Sequence, residues 1–176
     1  MEEQVVLVDE QDREVGTMGK QAAHREGLLH RAISVFIFDD SGRLLLHRRA
    51  AHKYHSPGLW TNTCCSHPRP GEHPLDAAHR RLREEMGMDT DLAFAFSFQY
   101  RAAFDNGLTE HEFDHVFVGH SNRQPVPDPA EVADHCWLGL QEIEHNVTAR
   151  PEQYTEWFKL IYRRAFAHYG DGTATG

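Results

Sequence analysis

The chain has 176 residues, which suits a single domain built around one sizeable hydrophobic core. Its formal net charge of -9 argues against a nucleic-acid-binding role, because that role needs a basic surface. The apolar runs are too short to cross a bilayer and the acidic N-terminus differs from a secretory signal, so we expect no membrane partner. Three cysteines do not make a disulfide framework, and we expect a reducing, cytoplasmic setting.

The first part of the chain predicts mainly strands. Residues 4–17 predict two short strands around a turn, and residues 19–30 read as a polar connection without a regular period. Residues 31–50 predict two strands joined by a tight Asp-Ser-Gly turn. The first of these two strands is apolar on both faces, which is typical of a central, covered strand.

Residues 73–88 predict an amphipathic helix. Pro74 suits its first turn, and Gly87 can end it in a left-handed conformation. Four apolar residues recur at helical spacing and predict one buried stripe: Leu75, Ala78, Leu82 and Met86.

The second half predicts two long strands, a short strand that runs into a helix, and a C-terminal helix. The strands are expected within residues 92–104, 110–121 and 134–140, and the C-terminal helix over residues 150–169. Together the elements predict one α/β domain over residues 1–169, with helices packed on a mixed sheet, and a disordered tail at 170–176.

The segment Asn-Thr-Cys-Cys-Ser-His-Pro contains two adjacent cysteines, and their role can be interpreted in several ways. If this segment is extended, Cys65 and His67 share one face while Cys64 points the other way. Both cysteines can instead be small buried apolar residues, which is a common fate of free cysteine. A zinc-stabilised binding module built on Cys64, Cys65, His67 and Cys136 is a third reading, disfavoured because adjacent cysteines lack the usual zinc-ligand spacing.

Two pairs of charged residues also allow more than one interpretation. Glu110 and Glu112 share one face of a predicted strand, where they repel each other unless they are exposed, protonated or bridged by a cation. On the predicted helix, Arg81 and Glu85 lie four residues apart, as surface ion pairs often do. Carboxylates beside a glycine-containing loop can also hold Mg²⁺ next to a phosphate.

The helix and its preceding loop resemble the Nudix box, a loop-helix-loop that binds a metal–diphosphate unit. The match consists of Glu72, Arg80, Leu82, Glu84, Glu85 and Gly87. The sequence has Ser66 where the box opens with glycine, and Arg81 where the box has glutamate. The resemblance implies a Nudix-like α/β/α sandwich with a mixed sheet and an altered box. The change to Arg81 keeps phosphate affinity and disfavours ordinary Nudix hydrolysis.

Longer segments resemble the type I isopentenyl-diphosphate delta-isomerases from Lys20 to the C-terminal helix. The most specific are Trp-Thr-Asn-Thr-Cys-Cys-Ser-His-Pro and Glu-His-Glu-Phe, supported by Gly-Lys-Gln-Ala-Ala-His and Leu-Leu-Leu-His-Arg-Arg-Ala. The resemblance implies interconversion of isopentenyl and dimethylallyl diphosphate in isoprenoid biosynthesis, by a protein compatible with a monomer. The alternative function is that of a Nudix diphosphohydrolase.

The resemblance also implies roles for individual residues. Cys65 and Glu112 would transfer protons, Tyr100 would assist Glu112, and Trp157 would shield a carbocation. A site for Mn²⁺, Mg²⁺ or Zn²⁺ would consist of His24, His30, His67, Glu110 and Glu112. The diphosphate would be bound by Lys20, Arg49, Lys53 and Arg81, with Mg²⁺ bridging it to Glu85 and the Cys65 carbonyl.

Overall fold

The computed structural model describes residues 1–173, which form a mixed β-sheet flanked by helices. Its strands are β1 (Gln4–Val8), β2 (Glu14–Gly19), β3 (His30–Phe38), β4 (Leu44–Arg49), β5 (Trp60–Thr61), β6 (Cys64–Ser66), β7 (Leu92–Ala103), β8 (Thr109–His120) and β9 (Val132–Leu138). The helices are α1 (Lys20–Glu26), α2 (Pro74–Met86), α3 (Leu140–Ala149) and α4 (Glu156–Thr173), with one 3-10 turn at Pro151–Gln153.

Strand β3 occupies the centre of the sheet, as its two apolar faces predict. It pairs in parallel with β8 and antiparallel with β1, β4 and β6, while β7 extends the sheet beyond β8. The register sets His30 beside Glu112 across the β3–β8 pair. It also sets Ser34 beside Cys65 and Tyr100 beside Glu112, so three strand pairings bring the candidate residues to one region.

Two apolar cores lie on the two faces of the sheet. Phe36 and Phe38 of β3 pack with Phe158 and other residues of α4 on one face. Ile33, Val35 and Ile37 alternate with them and pack against α2 on the other face, because successive strand residues point in opposite directions. This three-layer arrangement confirms the predicted α/β/α sandwich.

Helix α2 forms where the sequence predicts it. Pro74 stands at its first turn, and Gly87 ends it with φ of 60°, in the left-handed region. A side chain at Gly87 would also approach the Val126 carbonyl oxygen to 2.4 Å, so both backbone conformation and space favour glycine there. In the predicted stripe Ala78, Leu82 and Met86 are fully buried, and Leu75 is partly buried against them.

Two segments differ from the sequence-based expectation. Residues 20–26, which read as a polar connection, form α1, a helix too short for the sequence to display a regular period; left-handed Gly27 ends it. Helix α4 begins at Glu156, after the 3-10 turn at Pro151–Gln153, rather than at residue 150. It continues to Thr173, so residues 170–173 of the expected tail are helical; residues 174–176 lie outside the described part. Among the described helices none is long and apolar enough to cross a membrane.

Candidate active site

One cavity lies where strands β3, β6, β7 and β8 approach helices α2 and α4. Its lining brings together side chains that are far apart in sequence, from α1 to α4. Of the predicted catalytic and diphosphate-binding residues it includes Lys20, Arg49, Lys53, Cys65, Arg81, Tyr100, Glu112 and Trp157, and of the predicted metal ligands His67, Glu85, Glu110 and Glu112.

Three buried imidazoles meet beside this cavity, of which His67 belongs to the lining while His24 and His30 do not. One ligand atom from each of His24, His30 and His67 lies within 4.8 Å of the others and of a Glu112 oxygen. The Nδ1 atom of His30 donates to the Leu28 carbonyl oxygen at 2.9 Å, which leaves its Nε2 lone pair free. The Nε2 atoms of His24, His30 and His67 are buried without hydrogen-bond partners, so this donor set fits a bound divalent cation.

Burial also sets the charge of these imidazoles. It lowers the pKa of His24 to about 3 and that of His67 well below its ordinary value, and nearby cationic groups act in the same direction. The rings are therefore neutral at physiological pH, which is the form that binds a metal.

Glu110 and Glu112 form a buried carboxyl pair bridged by Tyr100. The Tyr100 hydroxyl lies 2.6 Å from Glu110 Oε2 and 2.8 Å from Glu112 Oε1. Burial, aided by the Asp114 charge, raises the pKa of Glu112 to about 7. One hydroxyl carries one proton, so the second short contact is satisfied best when one carboxyl is protonated. Strand alternation thus gives a buried pair, and the alternative of an exposed acidic face is wrong.

The two adjacent cysteines point to opposite sides of β6, as alternation predicts. Cys64 is fully buried in the core beneath α2. Cys65 lines the cavity, and its sulfur lies 3.0 Å from Asn62 Oδ1 and 3.1 Å from Trp157 Nε1. Burial, with the Asp114 and Glu85 charges nearby, raises the pKa of the Cys65 thiol to about 12, while Arg49 and the Trp157 N–H act in the opposite direction.

The basic residues of the cavity are paired with carboxylates. Lys20 Nζ lies 3.2 Å from Glu3, and Lys53 contacts Glu131. Arg81 donates to Glu85 at 2.5 Å, and its guanidinium lies 3.7 Å from Glu131.

Arg49, unlike the other basic residues of the cavity, contacts an aromatic ring: its guanidinium lies 5.5 Å from the centre of the Trp157 ring. Arg80 turns away from these cations: it binds Glu72 through two 2.8 Å hydrogen bonds and so holds the loop before α2.

Several residues in or beside the cavity are not among those that the sequence predicts for the site. Asp114 and Ser34 share a 2.7 Å hydrogen bond inside the cavity, and Asn62 contacts both Cys65 and Trp157. Asp114 continues the alternation of Glu110 and Glu112 by one more step, which was a usable signal. His55 lines the cavity from a loop, and no sequence period marks it; Asn62 is not in the lining but contacts Cys65 three residues further along the chain.

The zinc-module reading receives no support in the described residues. Cys64, Cys65 and Cys136 are all free, and the groups of side chains close enough to hold an ion contain histidine and glutamate but no cysteine. Cys136 lies on β9, in the pairing of that strand with β4.

Comparisons with known proteins agree with this fold. The model of the NUDIX domain family matches residues 28–158. Isopentenyl-diphosphate Delta-isomerase 2 of Aromatoleum aromaticum is 60% identical over 167 residues, covering 95% of this chain and 88% of that protein. Isopentenyl-diphosphate Delta-isomerase 1 of the same organism is 54% identical over 167 residues, covering 95% and 94%. In shape the chain matches the crystal structure of DR0079 from Deinococcus radiodurans, with a TM-score of 0.76 and 21% identity over 92% of this chain and 98% of that one.

The sandwich, with its cavity beside an altered Nudix helix, defines the class of NUDIX-domain proteins. Within that class, the chain belongs to the family of isopentenyl-diphosphate Delta-isomerases.

Proposed function

We propose that this protein interconverts isopentenyl diphosphate and dimethylallyl diphosphate as one step of isoprenoid biosynthesis. The observation that carries the proposal is a single cavity in which Cys65 and Glu112 share the lining with Lys20, Arg49, Lys53 and Arg81. Proton-transferring groups and a cluster of cations are the two requirements for moving a double bond in a small alkenyl diphosphate.

The reaction needs an acid and a base but no water. An alkene has no carbonyl group to polarise, so a proton added to the terminal carbon of isopentenyl diphosphate gives a tertiary carbocation. Loss of a proton from the carbon on the diphosphate side then gives dimethylallyl diphosphate, with no net change in atoms. Bulk water would capture the cation, and the buried Tyr100 and Trp157 side chains in the cavity lining would shield it.

Glu112 and Cys65 are the proposed proton carriers. In the metal-free protein the pKa of the Glu112 carboxyl is raised to about 7, a value at which it can both donate and accept a proton near neutral pH, and Tyr100 holds it in place. The Cys65 thiol keeps its proton in the ligand-free protein, since its pKa is raised to about 12. The reaction is reversible, so each group serves as acid in one direction and as base in the other.

Trp157 is proposed to stabilise the cation. Its side chain is 3% exposed and lines the cavity, and the Arg49 guanidinium already lies against its ring as a cation. An aromatic face beside a desolvated cation contributes roughly 2 kcal/mol or more.

The histidines and glutamates His24, His30, His67, Glu110 and Glu112 are proposed to hold Mn²⁺, Mg²⁺ or Zn²⁺. A mixed nitrogen and oxygen donor set discriminates weakly among these ions. A separate Mg²⁺ is proposed at Glu85 and the Cys65 carbonyl, where it would supply positive charge for the diphosphate. Glu85 would bind this ion through its buried carboxylate, which lies at the cavity wall next to Arg81.

Arg81 favours isomerisation over the alternative, hydrolysis by a Nudix diphosphohydrolase. Its guanidinium pairs with Glu84 and Glu85 and stands where the Nudix box has a further glutamate, so the helix lacks one of the carboxylates that would gather metal ions to activate water. A cation at that position still binds a diphosphate group.

We also propose that the protein is a cytoplasmic monomer. Residues of one chain supply every group named for the cavity, so no second copy is required. The three cysteines are free thiols, as a reducing compartment favours.

The test is incubation with isopentenyl diphosphate and Mg²⁺ in deuterated water, with Mn²⁺ added in a parallel sample. We expect dimethylallyl diphosphate carrying deuterium in a methyl group, and no release of inorganic phosphate. Unchanged substrate would contradict the proposal, and released phosphate would support the hydrolase instead.

A further inference from the structure

A fourth imidazole, His55, lies at the edge of the proposed histidine and glutamate metal centre. It is 6% exposed, and its ring centre lies 5.5 Å from that of His24. Its Nε2 atom is 3.2 Å from Glu110 Oε1. His55 comes from the loop between β4 and β5 rather than from a strand of the sheet.

His55 belongs to a second group of potential ligands. One atom each from His24, His55 and Glu110 lies within 4.8 Å of the others, and the first group of ligands also contains His24. The Nδ1 atom of His24 is occupied by the Tyr54 hydroxyl at 2.5 Å, so only its Nε2 atom is free for a metal. A single nitrogen lone pair binds one ion, so His24 can serve both groups only if they contribute to the same ion.

The distances within each group agree with ligands of one ion, and bringing both groups onto the same ion requires small side-chain movements, because not all of their atoms lie within 4.8 Å of one another. Two ligand atoms on one ion are roughly 3.0 Å apart when adjacent and roughly 4.2 Å apart when opposite, for metal–ligand bonds of about 2.1 Å. His55 Nε2 lies 3.2 Å, and His24 Nε2 4.0 Å, from the same Glu110 oxygen. His67 Nε2 lies 3.6 Å from Glu112 Oε2.

The loop holds the His55 ring in this position. Its backbone carbonyl accepts a hydrogen bond from Arg49 at 3.3 Å, and its ring stacks on Phe104 and meets Trp157 edge-on. The next residue, Ser56, has φ of 48°, in the left-handed region that costs free energy for a residue with a side chain. A strained backbone beside a buried, packed imidazole is typical of a functional constraint.

We propose that His55 is an additional nitrogen ligand of this metal centre, which then offers four imidazoles and two carboxylates. The inference rests on the metal centre of the proposed function. Six protein donors would leave such an ion no open position for a water molecule, so these residues would use the ion to fix the carboxyl pair rather than to activate water. A nitrogen-rich set also shifts preference from Mg²⁺ toward borderline transition metals such as Mn²⁺ and Zn²⁺.

The direct test is a crystal structure of the full chain loaded with Mn²⁺, with the ion located by its anomalous scattering. We expect His55 Nε2 within about 2.3 Å of the ion, the range of a metal–imidazole bond. A distance beyond about 3 Å would overturn the inference and assign His55 to a hydrogen bond with Glu110 outside the coordination sphere.

Metal affinity gives a second test in solution. We expect His55→Ala and His55→Asn to raise the Kd for Mn²⁺ at least about tenfold, with a smaller effect on Mg²⁺. His52→Ala is the matched control, because this histidine is exposed on the same loop, and its Kd should equal that of the unmodified protein. An unchanged Kd in both His55 variants would contradict the inference.

The two proposals fail in different ways. If the unmodified protein binds no Mn²⁺, the metal centre of the proposed function is wrong, and His55 falls with it. If the ion binds to the other histidines and to both glutamates while His55 stays apart, only the inference about His55 is wrong. Far-UV circular dichroism of each variant without metal separates loss of a ligand from loss of the fold.

Discussion

The indole nitrogen of Trp157 lies 3.1 Å from the sulfur of Cys65, although 92 positions separate the two residues in the chain. This contact joins the C-terminal helix to the short strand β6 at the cavity wall. The same N–H lies 3.2 Å from Asn62 Oδ1, which itself is 3.0 Å from the sulfur. The thiol is therefore held in one orientation by two polar partners inside an aromatic wall.

Replacing Trp157 by phenylalanine should remove this hydrogen bond while keeping most of the aromatic surface. The Trp157 N–H favours the thiolate, so its loss should raise the pKa of the thiol further. We expect kcat to fall about tenfold, the equivalent of roughly 1.4 kcal/mol, with little change in KM. Steady-state kinetics and a pH titration of thiol alkylation would measure the two effects.

Trp137→Phe is the control for that variant. Trp137 packs against the other core, outside the cavity lining, and its indole nitrogen has no hydrogen-bond partner to lose. Equal losses of kcat in the two variants would mean that the Trp157–Cys65 contact has no special role.

The two cysteines of β6 allow a matched comparison. Cys65→Ala should reduce turnover by about 10² to 10⁴-fold, the usual contribution of one acid–base group, with little loss of stability. Cys64→Ala should retain most of the activity but lower the free energy of unfolding by about 1 kcal/mol, because Cys64 is fully buried under α2.

Deuterium incorporation into dimethylallyl diphosphate and thermal melts would check both variants. Comparable activity in both would show that the thiol of Cys65 takes no part in proton transfer.

Alternation explains why much of the site follows from the sequence. It puts Cys64 and Cys65 on opposite faces of their strand and Glu110 and Glu112 on one face. The same alternation extends by one step to Asp114, which also lies on that face. Helix α2 is also predictable, because its apolar stripe and its glycine end are local features.

Other parts depend on contacts that no local pattern encodes. The parallel pairing that puts His30 beside Glu112 joins residues 82 positions apart. His55 sits on a loop whose path depends on the left-handed Ser56, and Glu131 reaches Arg81 only after β9 has folded against β4. Short α1 is stabilised by its neighbours β1, β2 and β8 rather than by its own periodicity.

Arg81 should contribute mainly to substrate binding. Its guanidinium lines the cavity and compensates the buried Glu85 carboxylate. We expect Arg81→Lys to raise KM about tenfold or more, roughly 1.4 kcal/mol of binding, because lysine keeps the charge but loses the two-pronged geometry. Steady-state kinetics with isopentenyl diphosphate would separate KM from kcat.

Arg83→Lys is the matched control on the same helix, since Arg83 is exposed and binds Asp89 on the surface. Its kinetics should equal those of the unmodified protein. A fall in kcat without a change in KM for Arg81→Lys would contradict a role in diphosphate binding.

Asp114 should make the metal-free protein less stable as the pH rises. Burial raises the pKa of its carboxyl from an ordinary value of 3.8 to about 8, and Ser34 donates a hydrogen bond to it at 2.7 Å. The folded state therefore holds this proton more tightly than the unfolded state. The resulting stabilisation is complete below about pH 4 and is lost as the pH rises through 8.

The buried histidines make the folded protein more stable as the pH rises, the opposite of Asp114, but they do so over a lower pH range. The pKa of His24 falls from 6.5 to about 3 in the folded protein, so its contribution is fully present above about pH 6.5 and declines only below that value. Between pH 6.5 and 8.5 the carboxyls dominate, and Glu112, with a pKa raised to about 7, acts in the same direction as Asp114.

Urea unfolding in the presence of EDTA across this range measures the effect. We expect the free energy of unfolding of the unmodified protein to fall between pH 6.5 and 8.5, with about 1 to 2 kcal/mol of the fall due to Asp114. Asp114→Asn should remove that share of the slope, whereas Asp91→Asn, at an exposed position, should leave the slope unchanged. A slope that stays the same in Asp114→Asn would mean that this carboxyl is ionised in the folded protein, in which case it could not share the cavity with Glu110 and Glu112 without a bound cation.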